Sequence, residues 1–425
     1  MKLKIIVILI IASLLLVSCQ QKASNNNEIT KNTTENTLEE TITDEDVETK
    51  VDEVVVEEEI SELVQGWIDQ YNIEPLVHNK DVPNTIGDVI SEYGEREDFL
   101  SIDATNIDLS HYDYGNRYFK YNTQTVWPEI IDANFNPIEL IEERKNPGLG
   151  LKELHSKGIT GKGVNIGFID TKLLVNHESF RDNLAYYEEI ESVPGQAHFH
   201  GTMTLSILTG KASGVAPEAN IYYFAYNPSA ERDYKLQIAE GINKIIAINE
   251  TKPEGEKIKV ISLSSGWMMD ESPEYLVLDE ALNSAYENNI LVFSAATYIT
   301  HNYHIGGVER NWNKDPEDPE AYYIDNNFML SPSANEENIH VLVPWYGNTV
   351  ASPTGSKEYA LYGYGAYSPA IPYYVGLYSL ACQVNSDFDM EYFWNYLIET
   401  GHEVKENRLL INPEGFINMV KENKK

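Results

Sequence analysis

At 425 residues the chain exceeds one ordinary domain and falls short of many, which predicts one large unit with smaller N-terminal matter and enough length for a sizeable core. Its formal net charge of -36 excludes nucleic acid and anionic lipid surfaces as electrostatic partners, because both would repel it. That balance suits a soluble protein outside the cell.

The chain starts Met1-Lys2-Leu3-Lys4, continues through an apolar run from Ile5 to Val17 broken only by Ser13, and reaches Ser18-Cys19. Two lysines, a short apolar stretch and a small residue before a cut predict a signal peptide, and the run is too short to span a bilayer comfortably. Leu16-Val17-Ser18-Cys19 resembles the lipobox of bacterial lipoproteins. That resemblance implies cleavage before Cys19, a lipid-bearing cysteine at the new N-terminus, and a location on the outer face of the bacterial cell membrane. Ordinary secretion with an incidental cysteine is the competing reading. Cys382 is then the only other cysteine, so no intrachain disulfide is expected in the mature chain. Its apolar neighbours mark it as a buried thiol.

From Gln20 to Glu59 the composition is rich in Asn, Thr and Glu and lacks aromatic residues. Such a stretch cannot bury enough apolar surface to offset its chain entropy, and is expected to be a disordered acidic stalk. Ile60, Leu63, Val64 and Trp67 then recur at helical spacing, predicting a short amphipathic helix up to about Tyr71. Ile107 to Tyr114 alternates apolar or aromatic with polar residues, as a half-buried strand or strand-like coil does. Residues 60–150 are read as an N-terminal cover packed on a main domain at 151–425.

From Gly158 onward, short apolar runs alternate with helical stretches. Strands are expected at Val164 to Ile169, Ile221 to Ala225, Lys259 to Leu263, Ile290 to Phe293 and Ile339 to Val343. Helices are expected at Thr202 to Leu208, Lys235 to Ile248, Tyr275 to Glu287 and Ser368 to Gln383. This pattern predicts an α/β fold with a mostly parallel, doubly wound sheet in three layers, its active groups beyond the carboxyl ends of the strands.

Asp170 closes the first of those runs, His200 precedes Gly201-Thr202, and Ser368 opens the last apolar helix. Taken singly each has a plain structural reading: a turn aspartate, a packed histidine, an N-cap serine. Together, the segments around them resemble the subtilisin-like serine peptidases, the subtilases. Val164 to Thr171 with Asn176-His177-Glu178-Ser179-Phe180 carries the Asp motif. His200-Gly201-Thr202 with Gly210 and Gly214 to Ala219 carries the His motif. Ser368, Ala370, Pro372 and Val375-Gly376 carry the Ser motif. The resemblance spans roughly residues 150–400, and more narrowly is to divergent homologues in Gram-positive bacteria.

The resemblance implies acyl transfer to water. Ser368 would attack a peptide carbonyl, His200 would take its proton, and Asp170 would fix the tautomer and stabilise the charged imidazole. Ser264-Ser265-Gly266 falls where subtilases bind an extended peptide, so protein or peptide is the implied partner. Trp267 either lines the cleft or sits in the core. Where the family places an asparagine in the oxyanion hole, this chain has Tyr298, a loss that costs about 2.7 to 4 kcal/mol of transition-state stabilisation in such sites. Ala366-Tyr367 and Lys172 also depart from the family pattern, and the stretch between Val343 and Ser368 is short. An inactive peptide-binding lipoprotein is therefore the alternative to an endopeptidase. Subtilases are often made with a removable pro-segment; the tyrosine-rich stretch from Asp108 to Trp127 instead suits permanent packing. Calcium is common in the family, and Asp315-Pro316-Glu317-Asp318 is the acidic loop nearest to such a site, yet no recognised ligand spacing is present and a solvated loop is the simpler reading. No metal ligand set is assigned.

Overall fold

The computed structural model describes residues 60–78, 82–89, 96–111, 118–267, 270–296, 304–311, 314–324, 339–362 and 367–424. The expectations for the signal peptide, Cys19, the stalk and Tyr298 lie outside those residues. Among the described residues, no helix is long and apolar enough to cross a membrane.

Ser61 caps the first helix, α1 (Glu62–Tyr71), whose buried Val64 and Trp67 lie on one face. There follow β1 (Ile73–Glu74), β2 (Arg96–Asp98), β3 (Tyr118–Asn122), α2 (Pro137–Arg144) and α3 (Leu151–Ser156). The alternating part begins with β4 (Asn165–Asp170), β5 (Leu184–Glu189), β6 (Gly195–Gln196), α4 (Phe199–Thr209), β7 (Asn220–Ala225), α5 (Tyr234–Thr251), β8 (Val260–Leu263), α6 (Pro273–Glu287) and β9 (Leu291–Ser294). It continues with β10 (His304–Arg310), β11 (Tyr322–Tyr323), β12 (His340–Pro344), β13 (Asn348–Ala351), β14 (Tyr359–Tyr362) and α7 (Ala370–Val384). α8 (Met390–Thr400), β15 (His402–Lys405), β16 (Arg408–Leu410) and α9 (Pro413–Glu422) complete the chain.

β5, β7, β4, β8 and β9 form, in that order, a wholly parallel five-stranded sheet. β4 lies at its centre and is buried at every residue. A continuous apolar run is what a strand covered on both faces requires, and both faces are covered. Ile169 and Phe224 point toward α5 and α6, where Ile238, Ile242, Ile245 and Leu278 are fully buried. Ile166, Phe168 and Tyr223 point the other way, into the larger core shared with α4 and α7. Those two helices are buried almost all round, consistent with their lack of a polar face. The result is the three-layered α/β arrangement the alternation predicts.

A second sheet orders β11-β10-β12-β16-β15, and a third orders β13-β14-β3-β2. The third ties the N-terminal region to the rest: Tyr121 pairs with Leu361, and Ala360 with Asn122, across β3 and β14. Phe119 and Tyr121 are buried there with Phe99, Phe135, Tyr359 and Leu361. Contacts join Ile60–Lys425 into one unit. The alternating stretch near 107–114 holds only an isolated bridge, Leu109 with Ile131, among its described residues; the regular strand comes later, at β3.

Candidate active site

Asp170 ends β4 at the carboxyl edge of the central sheet and is fully buried. Its Oδ1 lies 2.6 Å from His200 Nδ1 and also accepts the Thr171 backbone N–H at 2.7 Å. The Thr204 hydroxyl lies 3.1 Å from Oδ2 and 2.9 Å from the His200 carbonyl. Burial alone would push this carboxyl upward; the charge and hydrogen bond of His200, with the Thr171 and Thr204 donors, outweigh it and hold Asp170 below its ordinary value.

His200 stands in the first turn of α4, with a side chain 28% exposed. Burial pulls its pKa down, and the charge and hydrogen bond of Asp170 more than offset that, so the net shift is upward. A proton held on Nδ1 by Asp170 leaves Nε2 as the basic nitrogen. The helix start is set by His198, whose Nδ1 accepts the His200 N–H at 3.1 Å and meets the Thr171 hydroxyl at 3.1 Å. Gly201 follows because nothing larger fits: a Cβ there would stand 2.3 Å from Tyr223 Oη and 2.5 Å from the Thr171 carbonyl. The absence of that one carbon lets α4 press its N-terminus onto the end of β4.

The serine reaches the same edge by another route. β8 runs beside β4 with Ser262 opposite Phe168, so the chain leaving β8 at Ser264 lies alongside the chain leaving β4 at Asp170. Ser264 and Ser368 hold one another reciprocally: Ser264 Oγ donates to the Ser368 carbonyl at 3.0 Å, and Ser368 Oγ donates to the Ser264 carbonyl at 3.1 Å. Ser368 is not the helix cap; that position is Pro369, one residue on. Among the described residues, no hydrogen bond joins Ser368 to His200. Midway along α7, Gly376 lets the helix press on the segment before β7, since a Cβ there would lie 2.5 Å from that of Val215.

Ser265 Oγ is 2.5 Å from Tyr226 Oη, and Gly266 runs beside Ala295. Trp267 is buried in the core on the α5 and α6 side. Two departures from the family pattern have a different meaning in three dimensions. The Tyr367 ring packs edge-on against Trp345, 5.7 Å between centroids, so its bulk goes into packing. Lys172 directs its ammonium to the Tyr71 and Val193 carbonyls and the Glu189 carboxylate. The acidic loop does not converge on a point: Asp315 and Asp318 each accept from nearby backbone, and Glu317 accepts from Gly150 N–H and Asn146. Among the described residues, no three metal-ligating groups converge. These residues do not fit a calcium site.

His198 and Thr204 were not legible as site residues. Their signal was only spacing: His198 two before His200, and Thr204 one helical turn after it, facing Asp170.

Residues 161–341 match the model of the subtilase family, a stretch that includes Asp170 and His200 and ends before Ser368. The subtilisin-like protease PopC of Myxococcus xanthus (strain DK1622) is 25% identical over 157 residues, 34% of this chain and 33% of that protein, so the match spans about a third of the relative's length. Among solved structures, the prenylagaramide maturation protease PagA is 18% identical with a TM-score of 0.47, covering 64% of this chain and 98% of that one. A cold adapted subtilisin-like serine proteinase is 17% identical with a TM-score of 0.42, covering 58% and 85%.

Proposed function

We propose, from the premise that the chain belongs to the subtilases through its domain at residues 161–341, that it is a serine endopeptidase acting on proteins or peptides at the outer face of a bacterial membrane. The observation that carries the reading is the Asp170–His200 bond of 2.6 Å, set at the sheet edge beside the Ser264–Ser368 pair.

The chemistry follows from which atoms hold protons. With Nδ1–H directed to Asp170, Nε2 of neutral His200 can accept the Ser368 proton as the oxygen attacks a carbonyl. For that, Ser368 gives up its bond to the Ser264 carbonyl by rotation about Cα–Cβ, a change between staggered rotamers. His200 then returns the proton to the leaving amine, and water repeats the sequence on the acyl-enzyme. Asp170 stays ionised throughout, which its hydrogen bonds favour. The extended Ser264-Ser265-Gly266 segment would pair with the substrate backbone.

The anchoring part of the proposal rests on Leu16-Val17-Ser18-Cys19 and on the aromatic-free acidic stretch after it. Replacing Cys19 by Ser should move the protein from the membrane fraction to the medium; unchanged membrane retention would overturn the anchor.

A second reading is a peptide-binding module without turnover, favoured by the present direction of the Ser368 hydroxyl and by Tyr298 in place of an amide side chain. A fluorophosphonate probe separates the two. Covalent labelling of wild type and not of Ser368→Ala is expected; no labelling across roughly pH 6 to 9, where an imidazole sheds its proton, would leave the binding module.

A further inference from the structure

The two loops that present Asp170 and His200 are both held by the N-terminal segment. At the end of α1 the Tyr71 carbonyl accepts from Lys172 Nζ at 3.1 Å, and the rings of Tyr71 and Trp67 pack on Tyr187. The next residues add β1 in parallel to β6, Ile73 opposite Gly195 and Glu74 opposite Gln196. Gly195 N–H donates to the Asn72 carbonyl and Ala197 N–H to the Glu74 carbonyl, so the chain is tied down immediately before His198. Leu76 N–H then donates to the Pro353 carbonyl, in the turn between β13 and β14. Residues 71–77 thus form a strap across the carboxylate loop, the histidine loop and that hairpin.

Lys172 is where the strap meets the dyad. Its ammonium has three protons and three destinations: the Tyr71 carbonyl, the Val193 carbonyl at 2.9 Å and the Glu189 carboxylate at 3.2 Å. The lysine side chain is 14% exposed and that of Glu189 4%. Glu189 also accepts from Tyr187 and Ser192 hydroxyls. Charges taken this far out of water return little net stability, so fixing the geometry of three segments is the better account of the pair. The Lys172 carbonyl accepts the His198 N–H at 2.8 Å, and the His198 ring accepts the His200 N–H. Two hydrogen bonds therefore separate Lys172 from His200.

We propose that Lys172 is a positioning residue that locks the Asp170 and His200 loops to the N-terminal strap, making the strap a permanent working part of the site and not a segment removed on maturation. The proposal rests on the triad reading above and deepens it.

The test uses the folded protein with Lys172→Met and Glu189→Gln together, which leaves no unpaired buried charge, alongside Lys172→Arg. In proton NMR the low-field Nδ1–H signal of His200, assigned by its loss in His200→Ala, is expected to be sharp in wild type and broadened by exchange in the double variant. Turnover of a small peptide substrate should fall about 10- to 100-fold in kcat, the range of a sub-ångström to ångström misplacement, with KM changing less than about twofold. Lys172→Arg should restore most of both. An unchanged signal in the double variant, its absence in wild type, or a mature protein whose mass places its N-terminus beyond Val77 would each overturn the proposal. If the double variant does not fold, Trp67→Ala loosens α1 away from the site and is read the same way. The NMR signal belongs to the Asp170–His200 pair whether or not Ser368 reacts, so a protein inert to fluorophosphonate still decides the role of the strap.

Discussion

Asp170 and His200 stand on a central strand and a buried helix, fixed by three donors and a helix cap, whereas Ser368 stands just ahead of α7 and is held by one reciprocal pair with Ser264. In the proposed mechanism the first half holds the base. The second has its hydroxyl turned to the Ser264 carbonyl. The contrast teaches where order matters for this chemistry: the imidazole works only in one tautomer and one direction, and a buried carboxylate supplies both, while a hydroxyl on a rotatable bond can be recruited when a substrate arrives.

That comparison can be broken most sharply at Ser368. Ser368→Ala should reduce peptide hydrolysis by at least about 10⁴-fold with the fold intact, since losing the nucleophile removes the acyl-enzyme route altogether; activity near wild type would place the nucleophile elsewhere. Asp170→Asn should cost about 10⁴-fold in kcat through the wrong tautomer, with geometry preserved. Its pH profile sharpens the point. Wild-type kcat/KM should rise with pH through a midpoint above the ordinary histidine value of about 6.5, because neutral His200 is the active form and Asp170 favours the charged one. In Asp170→Asn that midpoint should move down.

The same pair sets opposite trends in stability. Raised in the fold, His200 contributes stability that is present below the ordinary value and is lost as pH rises through the folded one. Asp170, lowered, contributes stability that is lost only as pH falls through its folded value. Phe119→Ala should destabilise the protein by about 3 to 5 kcal/mol in denaturant unfolding, because the ring is fully buried in the cluster it forms with Phe99, Tyr121, Phe135 and Leu361. A much smaller value would mean the N-terminal sheet is dispensable. Thr204→Val should have the smallest effect, about 1 kcal/mol in kcat/KM, by removing one donor from a carboxylate that keeps its others.

Much of the central sheet was legible because burial on both faces leaves a plain mark: β4, β7, β8 and β9, like β12 of the second sheet, each begin or end within a residue or two of a short, mainly apolar run. Asp170 and His200 each had a plain structural reading when taken singly, and stood out only through the resemblance of the segments around them, Val164 to Thr171 and His200-Gly201-Thr202. β5, with its exposed Ala185 and Tyr186, and the hairpin of β13 and β14 left no such trace, because partly exposed strands borrow their regularity from partners distant in sequence. The role of Lys172 was hidden for the same cause. Sequence shows that a lysine replaces a small residue, but only the folded chain shows Tyr71 and Glu189 waiting for it. Tyr367 misled in the opposite direction, its bulk being absorbed by Trp345.

The pairing of β3 with β14 has a consequence in time. Thr123 and Tyr359, which close the end of that ladder, are separated by 236 positions, so the hairpin leading toward Ser368 completes its sheet only with a partner synthesised far earlier. Closing so wide a loop adds little to the equilibrium cost, which grows with the logarithm of length, but it delays the event. A chain made N-terminus first therefore holds β3 long before β14 exists to complete its sheet, and the aromatic cluster around Phe119 and Tyr121 gains Tyr359 and Leu361 only late.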